Sequence, residues 1–205
     1  THEDDFFTKA NYKFYQRLGQ VVSKAAMNAQ LFNRSKKRDE FTSLLNELNK
    51  DEFLTKPLES ILDFYLGSFI ELLGAERSSI MLYDPGSREL KVCAAKGYKV
   101  YPISGVPIKW GEGIAGLALK ESKIVTITKM KETQTFDNPF TKALKRREAP
   151  EARVKSLLVL PFFNAQKPLG VVNISTINYH KSFDQSDIDM AHELASRMAS
   201  VIKNF

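Results

Sequence analysis

Residues 108–125, IKWGEGIAGLALKESKIV, contain three closely spaced glycines followed by an apolar run that is typical of a short helix. Gly111, Gly113 and Gly116 have the spacing G-x-G-x-x-G, which also occurs where a strand leads into a dinucleotide-binding loop. Such a loop requires a buried parallel strand before the glycines and a strand-helix-strand unit around them. Here the preceding VPIK (106–109) is a weak strand, and the neighbouring strands form hairpins. The stretch therefore predicts a structural corner and not a nucleotide loop.

The corner has a predicted geometry. Gly111 and Gly113 permit the positive φ angles that turn a short strand into a helix beginning near Ile114. Gly116, with no side chain, lets that helix pack closely on the sheet. The apolar side chains that are expected to wall a cavity or fill the core here are Trp110, Ile114 and Leu117.

Two predicted β-hairpins flank the corner. In the first, RSSIMLY (77–83) and ELKVCAAKGY (89–98) surround the turn sequence DPGS. In the second, KSLLVLPFF (155–163) and LGVVNISTI (169–177) surround NAQKP. A short strand, KIVTI (123–127), lies between the hairpins. The strands are therefore expected to form an antiparallel sheet.

In the sequence, helices are predicted before and after the strands of this sheet. One has Pro57 in its first turn, apolar residues recurring from Leu58 to Leu73, and Gly74 as a stop signal. The other covers residues 184–205, where apolar side chains recur at intervals of three and four. Helices at both ends of an antiparallel sheet predict an α+β sandwich with the helices together on one face. The other face is left to the polar residues 128–153.

The first part of the chain, residues 4–33, is predicted to be one long helix with a heptad seam. Asn11 and Asn28 occupy two seam positions, and a polar Asn there can fix the register of a coiled coil. The seam predicts a partner helix, hence a dimer, although the helix could instead lie on its own domain. The apolar seam residues are Phe7, Phe14, Leu18, Val21, Ala25 and Phe32.

A boundary is predicted after this helix. The basic residues Arg34, Lys36, Lys37 and Arg38 are expected to form a bend or linker ahead of a short amphipathic helix at 41–48. The predicted division of the chain is therefore an N-terminal coiled-coil helix with its linker, residues 1–38, and a sensor domain, residues 39–205.

Composition restricts the class of protein. The chain has 205 residues, a net charge of +6 and one cysteine, Cys93. The single cysteine excludes a disulfide framework within the chain. No apolar run is long enough to cross a membrane and no signal peptide opens the sequence, so a cytoplasmic location and no membrane insertion are expected. The modest charge indicates a solvated surface, with no nucleic acid partner.

Four segments resemble the GAF domain family of sensory modules over residues 40–205. They are GAERSSIMLYDPGSREL (74–90), VPIKWGEGIAGLALKESKIVTI (106–127), VKSLLVLPFFNAQKPLGVVNI (154–174) and FDQSDIDMAHELASRMASVI (183–202). The resemblance implies an antiparallel sheet of five to six strands with a bundle of terminal helices on one face and a ligand pocket on the other. It also implies frequent dimerisation through the terminal helices.

The resemblance identifies no cofactor. The cyclic-nucleotide signature of the family has no counterpart after Phe136 or Phe140, and the histidines His180 and His192 are poorly placed to hold haem. Cys93 is expected to be a small buried hydrophobic residue and not a bilin attachment site. One cysteine cannot reproduce the cycle of the family's methionine sulfoxide reductases, and metal-ligand spacing is lacking. The chain is therefore predicted not to be an enzyme.

A ligand pocket is predicted from the alternation of side chains along two strands. Asn173 and Ser175 should point away from the helices, and Val172 and Ile174 should point toward them. Tyr83, together with Asn173 and Ser175, would supply hydrogen bonds in an otherwise apolar site. The predicted ligand-binding residues are Met81, Tyr83, Trp110, Gly113, Ile114, Phe136, Phe140, Asn173 and Ser175.

Basic residues are concentrated between the two predicted hairpins in the sequence. Six of them, Lys142, Lys145, Arg146, Arg147, Arg153 and Lys155, fall within fourteen residues. They predict either a lid that attracts an anionic small molecule or a solvated surface helix.

The sequence thus predicts a regulatory, small-molecule-sensing domain of a larger signalling protein. It would form a homodimer and relay the state of its ligand to an output domain whose type the sequence does not select. The alternative is a ligand-free dimerisation scaffold. The residues expected at the dimer interface are Phe14, Leu18, Val21, Ala25, Ala195, Met198 and Ile202.

Overall fold

A computed structural model describes four stretches of the chain, residues 9–50, 55–98, 107–128 and 154–202. Several sequence predictions lie outside these stretches: the start of the first helix with Phe7, the end of the last helix, and residues 129–153, which include Phe136 and Phe140. The chain divides into two compact units, Thr1–Asn46 and Glu47–Phe205.

Most of the first unit is a single helix, α1 (Lys9–Leu48). Every side chain from residue 11 to residue 36 is exposed or nearly so, including the apolar seam. The predicted bend at residues 34–38 was wrong, because the helix continues through them. The physical reason is propensity: Lys and Arg are good helix formers, and the chain contains no Gly or Pro between Gly19 and Pro57.

The second unit is built around one sheet of six antiparallel strands. The strands lie in the order β3-β2-β1-β6-β5-β4, so the two predicted hairpins, β1–β2 and β5–β6, meet along β1 and β6 at the centre. Their bounds are β1 Arg77–Asp84, β2 Glu89–Lys96, β3 Ile108–Lys109, β4 Val125–Ile127, β5 Ser156–Asn164 and β6 Lys167–Thr176.

Three further helices complete the described part of this unit. They are α2 (Leu58–Leu73), α3 (Gly113–Glu121) and α4 (Gln185–Ile202). The helix α2 begins after Pro57 and ends at Gly74, whose φ of 53° is the left-handed conformation favoured by glycine. The helix α4 begins with a reciprocal cap, in which Asp184 and Asp187 each accept a hydrogen bond from the other's backbone N–H.

The helices lie on opposite faces of the sheet. On one face, Met81, Val159 and Val171 pack with apolar residues of α3. Neighbouring residues along a strand point to opposite faces, so Ile80 and Val172 belong to the other face. The helix α2 lies on that second face. Lys96 pairs with Ser78 on β1, and its side chain forms an ion pair with Asp63 of α2 at 2.8 Å. The helix α4 contacts both α2 and β5. The predicted α+β architecture is confirmed.

Candidate functional site

The glycine corner adopts the predicted backbone geometry. Gly111 and Gly113 have φ angles of 80° and 59°, and α3 begins at Gly113. The backbone N–H of Gly111 donates to the carbonyl of Gly116 at 3.2 Å. A Cβ on Gly116 would lie 2.6 Å from the carbonyl oxygen of Lys109. Gly116 therefore lies against the backbone of β3 and of the turn that follows it. This contact fixes the position of α3 over one end of the sheet.

An apolar cluster fills the space between α3 and the sheet. Met81 is completely buried at its centre, and Tyr83, Trp110 and Ile114 pack around it. The rings of Tyr83 and Trp110 have centroids 4.8 Å apart and planes inclined at 49°. The fold thus brings four of the predicted pocket residues together, and their side chains are closely packed. Leu117, which was expected to join them, is instead 45% exposed, since it lies on the outer side of α3.

Polar residues occupy the same face further along the two central strands. Arg77 and Ser79 of β1 pair with Ser175 and Asn173 of β6, respectively. We call these four residues the polar square. Three of them are almost fully buried, with Arg77 1%, Ser79 0% and Ser175 3% exposed. Burying polar groups is unfavourable unless they have partners, so a buried polar cluster at the centre of a sheet is a candidate binding site.

Two contacts define the positions of the side chains in the polar square. The amide of Asn173 donates to the Ser79 hydroxyl at 3.4 Å, near the upper limit for a hydrogen bond. The guanidinium of Arg77 lies 5.0 Å from the centre of the Tyr98 ring, within the range of a cation–π interaction. Asn173 and Ser175 have the orientation predicted from the sequence, on the face away from α2.

Small and apolar residues flank the polar square. On β2, Ala95 pairs with Ser79, so only a methyl group stands beside the serine. On β5, Leu157 and Val159 pair with Ser175 and Asn173. This composition, a few polar groups within an apolar surround, is typical of small-molecule sites.

Arg77 was missed by the sequence prediction. It has the same parity along β1 as Ser79 and Met81, so the alternation in RSSIMLY was sufficient to place it on this face. The prediction began the face at Ser79, since an arginine at the first position of a strand is usually exposed.

Glu76 anchors the polar square at its end. Its carboxylate accepts hydrogen bonds from the backbone N–H groups of Ile177 at 2.6 Å and Asn178 at 2.9 Å, and from the Asn178 side-chain amide. Desolvation tends to raise the pKa of Glu76, but these hydrogen bonds and the nearby charge of Arg77 outweigh it, so the pKa lies below its ordinary value. The carboxylate thereby ties the loop after β6 to the start of β1.

Cys93 lies at an irregularity of the sheet and not in its core. Ile80 pairs with Ala94 and Met81 with Val92, which leaves Cys93 as the extra residue of a bulge. The prediction of a buried residue was wrong, since Cys93 is exposed. The thiol itself is partly buried where it donates to the carbonyl of Ile80 at 3.3 Å, and desolvation there raises its pKa to about 11.

The residues predicted at the dimer interface fall into two groups. On α1, Phe14, Leu18 and Val21 are 63%, 47% and 65% exposed, and Ala25 is exposed as well. On α4, the three residues Ala195, Met198 and Ile202 are at most 9% exposed within a single chain. The α4 residues are part of the interior of the chain, so they are not available to a second copy; their period of three and four reflects the core.

The described residues contain neither a metal site nor a membrane-spanning helix. No group of three or more His, Cys, Asp or Glu side chains in this part of the chain is arranged to hold a metal ion. None of its helices is both long and apolar enough to span a membrane.

The chain is similar to known proteins in both sequence and fold. The sequence profile of the GAF domain matches residues 55–203. The GAF domain of a phosphoenolpyruvate-protein phosphotransferase from Acinetobacter superposes with a TM-score of 0.66 at 20% identity, covering 82% of this chain and 93% of that one. A search of curated proteins found no significant match.

Two other solved structures are similar. The free methionine-R-sulfoxide reductase from Neisseria meningitidis, solved with its substrate, has a TM-score of 0.60 at 19% identity and covers 82% of this chain and 88% of its own. The GAF domain of a two-component sensor histidine kinase from Bacillus halodurans has a TM-score of 0.53 at 21% identity, with coverage of 70% and 94%. At such identities the likeness is one of fold.

Proposed function

Because this chain belongs to the GAF domain family, which occurs in signalling proteins such as sensor histidine kinases, we propose that it is a regulatory domain that senses a small molecule. The ligand binds on the α3 face of the sheet, at the polar square. A homodimer formed through α1 relays the bound state to an output domain of a larger cytoplasmic protein.

The observation that carries this proposal is the polar square itself. Around Met81 this face is packed with apolar side chains. Further along it, the two central strands bury Arg77, Ser79 and Ser175 side by side. A few polar side chains on an otherwise apolar face are typical of small-molecule sites, where they fix the orientation of the ligand. Met81, Tyr83, Trp110, Gly113 and Ile114 support the site as its apolar floor; Phe136 and Phe140 remain proposed lining residues.

Relay to the helices uses the two-sided strand β1. Ser79 lies on the ligand face and Ile80 on the opposite face, where α2 contacts β1. The helix α2 in turn contacts α4. A ligand that changes the position of β1 therefore changes the packing of α2 and α4, because closely packed interiors transmit small displacements.

Dimerisation is assigned to α1. The exposed seam of Phe14, Leu18, Val21 and Ala25 offers apolar surface at heptad spacing. Burying that seam against a second copy removes it from water, which favours association.

We propose binding and not catalysis as the role of the domain. The reductases among the structural neighbours share the fold, but a nucleophilic cysteine requires a lowered pKa, and Cys93 has a pKa raised to about 11. We expect Cys93→Ser to leave ligand binding unchanged, with no reductase activity in either protein.

Native mass spectrometry of the purified full chain tests the proposal. We expect a retained small molecule, and its loss when the protein is denatured. An Asn173→Leu, Ser175→Ala double variant should fold but lose that mass. A chain that retains no molecule, and whose Asn173 and Ser175 amide signals respond to no member of a metabolite library, would support the ligand-free dimerisation scaffold instead.

A further inference from the structure

We propose that α1 binds the surface of an anionic lipid bilayer through one side of the helix, which we call the basic stripe. This inference goes beyond the proposed function and does not depend on the ligand site. Two columns of residues at intervals of seven form the stripe, and the columns are offset by four residues, so they lie side by side on the helix. They are Lys13, Gln20, Met27 and Arg34, and Arg17, Lys24, Leu31 and Arg38.

The basic stripe lies beside the seam of the proposed dimer and not within it. The seam runs through Leu18 and Val21, at other positions of the heptad. All eight stripe residues are exposed, and two of them are large and apolar, with Met27 64% and Leu31 56% exposed. A dimer through the seam leaves Met27 and Leu31 outside its apolar core. A second kind of partner is therefore needed to account for them.

The charge of the basic stripe has one sign. No Asp or Glu occurs between residues 6 and 38 of the sequence. Lys13 with Arg17, and Arg34 with Arg38, are pairs of like charge four residues apart, an arrangement that destabilises an isolated helix. A helix surface that is only solvated usually carries charges of both signs. The pattern therefore favours an anionic partner, which offsets the repulsion between the cations.

A lipid surface matches both kinds of side chain in the stripe. Lys and Arg interact with anionic headgroups, and apolar side chains such as Met27 and Leu31 reach the boundary between the headgroups and the acyl chains. The phosphate backbone of a nucleic acid also attracts the cations, but it gives Met27 and Leu31 no apolar surroundings. Anionic lipids are concentrated in the cytoplasmic leaflet, on the side where the proposed signalling protein lies.

The shape of α1 also suits a lipid surface. Because α1 is one continuous helix, Lys9–Leu48, the stripe extends over roughly 40 Å at about 1.5 Å per residue. A long, convex surface of this kind contacts a flat partner along its whole length, with the helix axis parallel to the bilayer. The helix then lies on the membrane and does not cross it.

Co-sedimentation of the full chain with lipid vesicles tests this inference. One set of vesicles is phosphatidylcholine alone, and the other is an equal mixture of phosphatidylcholine and phosphatidylserine. We expect binding to the second set only, and weaker binding as the salt concentration rises, because salt screens the attraction. Soluble glycerophosphoserine carries the headgroup without acyl chains and should not release the protein. Release by glycerophosphoserine would identify a headgroup site and contradict binding to the bilayer surface.

Two double variants separate the charges from the apolar contacts. Arg17→Gln with Lys24→Gln should weaken binding to the phosphatidylserine vesicles more than about tenfold, because each cation near an anionic surface contributes about fivefold. Met27→Gln with Leu31→Gln should weaken binding severalfold while the charge stays the same, because less apolar surface is buried.

A matched control removes the same charge elsewhere. Lys123→Gln with Lys167→Gln takes two exposed cations from the second unit and should leave vesicle binding nearly unchanged. An equal loss in this control and in Arg17→Gln with Lys24→Gln would mean that total charge decides binding, which contradicts the inference. Circular dichroism checks that each variant is folded, and the two vesicle sets with the wild-type chain decide the matter if one is not.

The outcomes separate this inference from the proposed function. If the wild-type chain sediments as a dimer and binds neither vesicle set, the lipid inference is wrong and the sensing and dimerisation roles stand. If it binds duplex DNA more tightly than the phosphatidylserine vesicles, the stripe serves a nucleic acid and the inference is wrong. If a monomeric chain binds those vesicles and the stripe variants do not, the inference stands and the α1 dimer fails.

Discussion

The side-chain amide of Asn173 donates to the hydroxyl of Ser79 at 3.4 Å, across the two central strands of the sheet. The two residues are 94 positions apart in the chain, so the folded sheet alone brings them together. A hydrogen bond at this length is weak, because it lies near the upper limit of the distance range. The sheet therefore fixes the positions of the two residues, while the hydrogen bond between their side chains can be broken at a small cost in free energy.

We predict that Asn173→Ala weakens ligand retention while leaving the fold almost unchanged. Loss of the long hydrogen bond should lower the free energy of unfolding by less than about 1 kcal/mol. Occupancy in native mass spectra should fall clearly. Thr126→Ala, at an exposed polar position on β4, is the control and should change neither quantity. Equal occupancy in wild type and Asn173→Ala would remove Asn173 from the site.

The exposed seam of α1 gives a prediction about assembly. Leu18→Asp with Val21→Asp should convert a dimer to a monomer, because association would bury unpaired charges. Gln16→Asp with Gln20→Asp introduces the same charges on the other side of the helix and should remain dimeric. Sedimentation velocity measures both variants. Wild-type protein that sediments as a monomer at high concentration would contradict the α1 dimer.

Two glycines within helices should respond in opposite ways to alanine. Gly116→Ala places a Cβ against backbone atoms of Lys109 and Gly111, and should cost about 1–3 kcal/mol. Gly19→Ala on α1 meets nothing within 4 Å and should increase helix stability by about 1 kcal/mol. Denaturation followed by fluorescence of Trp110, the only tryptophan, measures the first. Far-ultraviolet circular dichroism measures the second. A neutral Gly116→Ala would show that α3 can move away from β3.

The cap of α4 should contribute measurably to stability. Asp184→Ala removes the hydrogen bond from the Asp187 N–H at 2.9 Å and should lower the free energy of unfolding by about 1 kcal/mol. Asp189→Ala, which removes only a contact with Gln185 on the exposed side of the helix, should cost at most about 0.5 kcal/mol. Urea denaturation compares the two. The reverse order of effects would mean that Asp184 does not act as the cap.

The depressed pKa of Glu76 predicts a dependence of stability on pH. A carboxyl whose pKa is lower in the folded state stabilises the fold while it is ionised, and that contribution disappears as the pH falls through the folded pKa. Glu76→Gln should therefore be less stable than wild type at neutral pH. The two should converge as the pH falls below about 5 and passes under the ordinary carboxyl range. Glu59→Gln, at an exposed position on α2, should show no comparable change. A constant difference between pH 7 and pH 3 would contradict the assignment.

Local sequence patterns were sufficient for most of the sheet. The turn sequences DPGS and NAQKP located both hairpins, and Gly111 and Gly113 located the corner, because each depends on backbone dihedral angles that few residues adopt. Period-two alternation then assigned Asn173 and Ser175 to the correct face. These features are encoded within a few neighbouring residues.

The errors concern properties that depend on distant contacts. Periodicity showed that one side of α4 is apolar. It could not show whether that side is buried within the same chain or is available to a second copy; Met198, for example, is buried within the chain. Likewise, nothing local distinguishes Arg77 from an exposed arginine at a strand end; its burial follows from the residues that surround it. The bulge that exposes Cys93 arises from the register between β1 and β2.

The outermost strands of the sheet are also its shortest. In the described part of the chain, β3 has two residues and β4 has three. A long edge strand presents a row of unpaired N–H and C=O groups to which another chain can add, which is a common route to aggregation. Edges this short offer an incoming strand few groups to pair with. Very short edge strands of this kind are one way in which sheets limit edge-to-edge association.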